Sequence, residues 1–166
     1  MTLYLLDAYA MIYRAYYAFI RTPRINSKGV NTSAIFGFTN TLLELLTKRQ
    51  PDYIAVAFDS HGPTFRHEVF PEYKANRDAQ PEDISIAVPY IKELLKAMNI
   101  PIVECQGYEA DDILGTLAKF GEKQGLEVTI LSGDRDTFQL ASDHITIRIP
   151  RTKAGKTETE DYNRAK

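Results

Sequence analysis

Seven carboxylates of this sequence fall where a catalytic site needs acids. Asp7 closes the apolar run at residues 3–6, and Asp59 closes the run at 53–58. Asp134 and Asp136 follow the run at 128–131 across the Ser132-Gly133 turn, while Glu109, Asp111 and Asp112 open the helical stretch that comes after Ile102 and Val103. Acids occupy 22 of 166 positions, so an acid at each of three run ends is a coincidence of about 0.002. Taken singly, each has an ordinary explanation, because Asp suits turns and acids suit the first turn of a helix. Together they require a further one: clustered carboxylates repel and stay partly protonated unless a cation offsets them. Donors that are all oxygen suit Mg2+, with Mn2+ as a substitute, whereas zinc takes Cys and His. Cys105 is the only cysteine, and His61, His67 and His144 lack ligand spacing. Seven acids exceed the need of one cation and predict two positions about 4 Å apart, which would clamp the attacking and leaving oxygens of a phosphodiester.

The elements that must position these acids are legible from the pattern. Residues 3–6, 53–58, 102–103, 128–131 and 145–149 read as short strands, mostly continuous apolar runs of the kind that parallel, doubly covered strands show. Between them, residues 10–19, 33–46, 84–98 and 110–121 carry helical spacing, with Ala110, Ile113, Leu114, Leu117 and Gly121 on one stripe. The alternation predicts an α/β three-layer sandwich with a central, mostly parallel sheet. In such sheets the ligand crevice lies outside the carboxyl ends of the strands, so all seven acids are expected at one edge.

A length of 166 residues, 44% hydrophobic and 25% charged, fits one globular domain with no second unit over 1–166. No run approaches the roughly 20 apolar residues of a membrane span. The first residues lack a basic region and cleavage site, which predicts a cytoplasmic protein. The net charge is −2, but residues 1–80 hold 9 basic and 7 acidic side chains and residues 81–166 hold 11 and 15. With seven acids offset by metal, 20 basic residues face 15 acids, a surface suited to a polyanion. Three segments, 21–32, 60–81 and 150–157, read as basic loops. The middle one sets Phe65, Arg66, Phe70, Tyr73, Lys74 and Arg77 together, the mixture of rings and cations that holds single-stranded nucleic acid.

Six ordered motifs carry a family resemblance: Leu6-Asp7 with Tyr13-Arg14-Ala15-Tyr16-Tyr17-Ala18, residues 55–59 ending in Asp59, Gly62-Pro63-Thr64-Phe65-Arg66, Tyr73-Lys74-Ala75-Asn76-Arg77, residues 107–112, and residues 132–136. Over essentially its whole length the chain resembles the 5′ nuclease domain at the N-terminus of bacterial type I DNA polymerases, within the PIN-like flap endonuclease family. The resemblance implies a Mg2+-dependent 5′-3′ exonuclease and flap endonuclease. Its substrates would be DNA with 5′ flaps or nicks and RNA-DNA primers, in replication and repair. It assigns Asp7, Asp59, Glu109, Asp111, Asp112, Asp134 and Asp136 to the metal centre, with Asp7, Asp59, Lys74 and Arg77 catalytic. It assigns Lys74 and Arg77 to the arch that grips the 5′ strand, and Arg14, Tyr17, Arg66 and Tyr73 to the nucleic-acid surface.

Two departures stand out. Ala8 replaces the Gly that many members carry after the first Asp, a change of small for small. The family also continues into a helix-hairpin-helix region that supplies two more aspartates and a K+ site, so this chain is expected to be a monomeric fragment of a longer, polymerase-fused protein with its second metal position incomplete. Three rivals compete. Asp134-Arg135-Asp136-Thr137 fits the nucleophile loop of haloacid dehalogenase-type phosphatases, but the chain after Thr137 is too short for their later motifs. A stand-alone PIN-type ribonuclease has no need of the 60–81 segment. A catalytically impaired nucleic-acid-binding fragment has no need of seven acids.

Overall fold

The computed structural model describes residues 1–153 and 156–164. Its elements run β1 (Thr2–Asp7), α1 (Ala8–Ala18), α2 (Ser33–Arg49), β2 (Tyr53–Ala57), α3 (Phe65–Val69), α4 (Glu82–Ala97), β3 (Ile102–Val103), α5 (Ala110–Lys123), β4 (Glu127–Leu131), a 3-10 helix at Arg135–Leu140, β5 (Ile145–Lys153) and β6 (Lys156–Tyr162). The six strands form one sheet in the order β3-β2-β1-β4-β5-β6. The first five are parallel, and β6 returns antiparallel to β5.

Successive residues of β1 serve opposite faces. Tyr4 and Leu6 join Ile12, Phe38, Leu42, Ile84, Ile91 and Leu95 in the core under α1, α2 and α4. Leu5 joins Ile113, Leu114, Ala118, Ile130, Ile145 and Ile147 in the core under α5. Both faces are covered, which is why the strands read as continuous apolar runs. The chain builds outward from β1 to β2 and β3 on one side, then crosses back to place β4 on the other. That reversal makes the carboxyl ends of β1 and β4 a topological switch point, where open α/β sheets place their ligands.

Two expected loops are corrected. Residues 150–153 continue β5, and β6 begins at Lys156, where the sequence reading set one basic loop; residues 154–155 lie outside the described residues. The hairpin is joined by cross-strand charge pairs. Arg148 meets both carboxylate oxygens of Asp161 at 2.7 and 2.8 Å, and Arg151 meets Glu160 at 3.0 Å. The 60–81 segment carries a single turn and a half of helix, α3, followed by consecutive turns at 71–76. Pro71 ends α3 by forcing Phe70 into an extended conformation, with φ of −139°. The 21–32 segment remains irregular apart from one bridge between Ile25 and Asn31. Its Arg24 lies over the Phe36 ring at 4.2 Å.

Candidate metal centre and its basic rim

Three carboxylates are held at the switch point by backbone amides and one hydroxyl. Asp7 caps α1, its Oδ1 accepting from the Ala10 amide at 3.3 Å. Ser132 Oγ donates to Asp7 Oδ2 at 3.4 Å and accepts from the Asp134 amide at 3.1 Å, tying the end of β1 to the end of β4. Asp134 caps the 3-10 helix by accepting from the Asp136 amide at 2.9 Å. Asp59, just beyond β2, accepts from the Ala110 amide at 2.6 Å, at the start of α5. These four lines of support converge on a cleft of about 880 Å3 lined by Asp7, Asp59, Glu109, Asp111, Asp134, Lys74 and Arg77, with Tyr9, Tyr13 and His61 on its walls.

Crowding and burial alter the acids' chemistry. The Asp7 carboxyl is pushed up to about 7, first by burial and then by the neighbouring charges of Asp111 and Asp59, against the Ala10 and Ser132 hydrogen bonds. Asp111 is raised to about 6, again by burial first, then by Asp134, Asp59 and Glu109. Burial and like charge act in the same direction on these two neighbouring carboxyls, and both favour the protonated form. Among the described residues, no three His, Cys, Asp or Glu side chains are gathered closely enough to hold a metal ion as they stand. An open set of oxygen donors fits Mg2+ or Mn2+, which keep part of their water shell, and does not fit the closed geometry of structural zinc.

Five of the seven expected acids therefore share the cleft, and two do not line it. Asp112 turns to Arg66, whose Nη1 and Nη2 donate to its two oxygens at 2.8 and 2.7 Å. That fork holds the Asp112 carboxyl below the usual carboxylate range. Asp136 is exposed on the 3-10 helix. The basic residues are likewise redistributed. Arg66 also meets Glu109 at 3.1 Å and Lys74 meets Glu109 at 2.5 Å, so both cations are engaged by acids rather than standing open to phosphate. Tyr73 donates to Glu109 at 3.3 Å. Arg77 is exposed at the rim. Arg14 and Tyr17 do not line the acid cleft; they line a second cleft of about 910 Å3 between α1, α2 and strands β4 to β6. Sequence reasoning gave no role to Ser132, the brace between Asp7 and Asp134. Its signal was present in the Ser132-Gly133 turn, but the partner lies 125 residues away.

The family model described as the N-terminal resolvase-like domain of 5′-3′ exonucleases matches residues 2–166. The chain belongs to this family. Among curated relatives, DNA polymerase I of Bacillus caldotenax is 47% identical over 161 residues, covering 96% of this chain and 18% of that protein. DNA polymerase I of Bacillus subtilis is 45% identical, with 96% and 18% covered. The chain thus spans under a fifth of the length of these polymerases. Among solved structures, the bacteriophage T5 5′-exonuclease with bound zinc superposes with a TM-score of 0.65 at 19% identity, over 90% of this chain and 55% of that one. A bacteriophage T5 flap endonuclease in a complex with DNA and metal ions gives 0.66 at 20% identity, over 98% and 58%. These neighbours share the mostly parallel α/β sandwich of this 5′-3′ exonuclease-family domain.

Proposed function

We propose that this chain is the catalytic core of a divalent-metal-dependent 5′-3′ exonuclease and 5′-flap endonuclease. It would act on DNA ends, flaps, nicks and RNA-DNA primers as a monomeric part of a cytoplasmic, polymerase-fused protein. The observation that carries the reading is the convergence of Asp7, Asp59, Glu109, Asp111 and Asp134 at the switch point, with the Asp7 and Asp111 carboxyls raised first by burial and then by the charge of their neighbours. These five residues would hold Mg2+, or Mn2+ in its place; Asp112 and Asp136 would act through them or through water. Bound there, divalent cations supply charge neutralisation at the phosphodiester and water ionised near neutral pH.

The chain's own residues do the positioning. The Ala10, Ala110 and Asp136 amides fix the carboxylates of Asp7, Asp59 and Asp134 before any substrate arrives, so little reorganisation remains at the moment of reaction. Arg77 stands exposed at the rim of an otherwise acidic cleft, and Lys74, paired with Glu109, lies beside it. There they would attract the phosphates of a 5′ end and offset the repulsion between substrate and acids. No Ser, Cys or His is placed as a protein nucleophile in this reading.

Cleavage of a labelled 5′-flap DNA tests it. Activity is expected with Mg2+ or Mn2+, lost with chelator, and lowered by orders of magnitude in Asp59→Ala and Asp134→Ala with the circular dichroism unchanged. Near-normal metal-dependent cleavage by Asp134→Ala would overturn the assignment.

A further inference from the structure

Glu109 heads α5, and its carboxylate is claimed by three donors from one short stretch of chain. Arg66 Nη1 and the Tyr73 hydroxyl donate to Oε2 at 3.1 and 3.3 Å, and Lys74 Nζ donates to Oε1 at 2.5 Å. Its side chain is only 12% exposed. In this state Glu109 has little room to serve a cation, although it lines the cation cleft. The two cations that hold it are not equivalent. Arg66 makes its two shorter bonds to Asp112, which lies off the cleft, whereas Lys74 has Glu109 as its carboxylate partner. Lys74 also sits in the left-handed region, with φ of +58°. A residue with a Cβ adopts that conformation only where its surroundings hold it. The Lys74 ammonium is held by Glu109 and lies 5.0 Å from the centre of the Tyr73 ring.

We propose that Glu109 is exchanged between Lys74 and the divalent cation of the cleft, so that metal loading unlatches residues 70–77 from α5 and frees Lys74 for the phosphate of a nucleic-acid 5′ end. The inference rests on the metal-centre reading above. Charge balances in both states: Lys74 offsets Glu109 before loading, and the cation offsets it afterwards. Arg66 stays on Asp112 in both, so the segment pivots from α3 and remains attached. The consequence is an order of events in which the metal enters before the 5′ end is gripped.

Calorimetry and hydrogen exchange on this chain test the exchange without any cleavage assay. Removing the competing ammonium in Lys74→Gln should tighten Mg2+ binding about fivefold, the factor expected for a half-buried ion pair. Arg77→Gln removes the same charge from the same rim but from no Glu109 contact, and should tighten binding about twofold or less by screened electrostatics alone. In the wild type, saturating Mg2+ should speed exchange of the Tyr73, Ala75 and Arg77 amides, which close the turns onto Phe70, Glu72 and Lys74. In Lys74→Gln these amides should exchange fast with or without Mg2+. Equal tightening by both variants, or Mg2+ binding that leaves exchange at 70–77 unchanged, overturns the latch. Absence of any Mg2+ binding by the wild type overturns instead the metal reading on which it stands.

Discussion

Asp7→Asn converts the electrostatic reading of the cleft into a measurable stability difference. Asp7 is 8% exposed, and its carboxyl is raised from 3.8 to about 7 chiefly by burial. A carboxyl whose folded value lies above its unfolded value binds its proton more tightly when folded. The unfolded state then binds fewer protons, and stability falls as pH rises from about 4 to about 7. The full penalty is present above pH 7, and three units correspond to about 4 kcal/mol of destabilisation in the metal-free protein. Asn keeps an acceptor for the Ala10 amide but carries no charge. Allowing for the cost of burying its amide, Asp7→Asn should stabilise the metal-free chain by about 2 kcal/mol at pH 8. The gain should fall as the pH is lowered, pass through zero and become a loss of up to about 2 kcal/mol near pH 4, where the carboxylate penalty is gone and the amide cost remains. Urea unfolding in chelator at pH 4, 6 and 8 reads the difference, and repetition in Mg2+ supplies the reversal: the wild type should gain stability from the cation and Asp7→Asn much less. An Asp7→Asn chain that is less stable than the wild type at pH 8 in chelator would refute the reasoning, as would a wild-type stability flat between pH 4 and 8.

Mg2+ affinity should rise with pH up to about 7, because Asp7 and Asp111 must give up protons to bind, and calorimetry in buffers of different ionisation enthalpy should show proton release on binding. Gly37→Ala should destabilise the fold by about 2 kcal/mol, since its Cβ would stand 2.5 Å from Ala15 Cβ and 3.2 Å from Ala15 Cα, forcing α1 and α2 apart; a neutral thermal shift would contradict this packing. Because Lys74 has a positive φ, Lys74→Gly should be about 1 kcal/mol more stable than Lys74→Ala, and the opposite order by urea unfolding would count against that conformation. Arg77→Ala should weaken DNA binding evenly across sequences and reduce the salt slope by about one unit; losses confined to particular sequences would indicate base contacts instead.

The sequence alone determined the order of the first five strands and the four long helices, and the acids at the strand ends, because these are local properties. A doubly covered strand is written as an apolar run, and the residue that ends it is its neighbour in the chain, so Asp7, Asp59 and Asp134 were placed without tertiary information. The helix stripe through Ala110, Ile113 and Leu114 was equally local and is buried as its spacing predicts. Tertiary structure decided which acids meet and which cations they meet. Asp111 and Asp112 are adjacent on one helix turn, yet one faces the cleft and the other takes the fork of Arg66, 46 residues away. Lys74 and Arg66 read as free phosphate ligands because a basic, aromatic run shows only its own composition; docking on Glu109 depends on α5 lying across the sheet. The same holds for β6, whose alternating charged residues look like loop until Arg148 and Arg151 of β5 stand opposite its acids. Periodicity encodes what an element buries, whereas partners distant in sequence are fixed only when the sheet order brings them together.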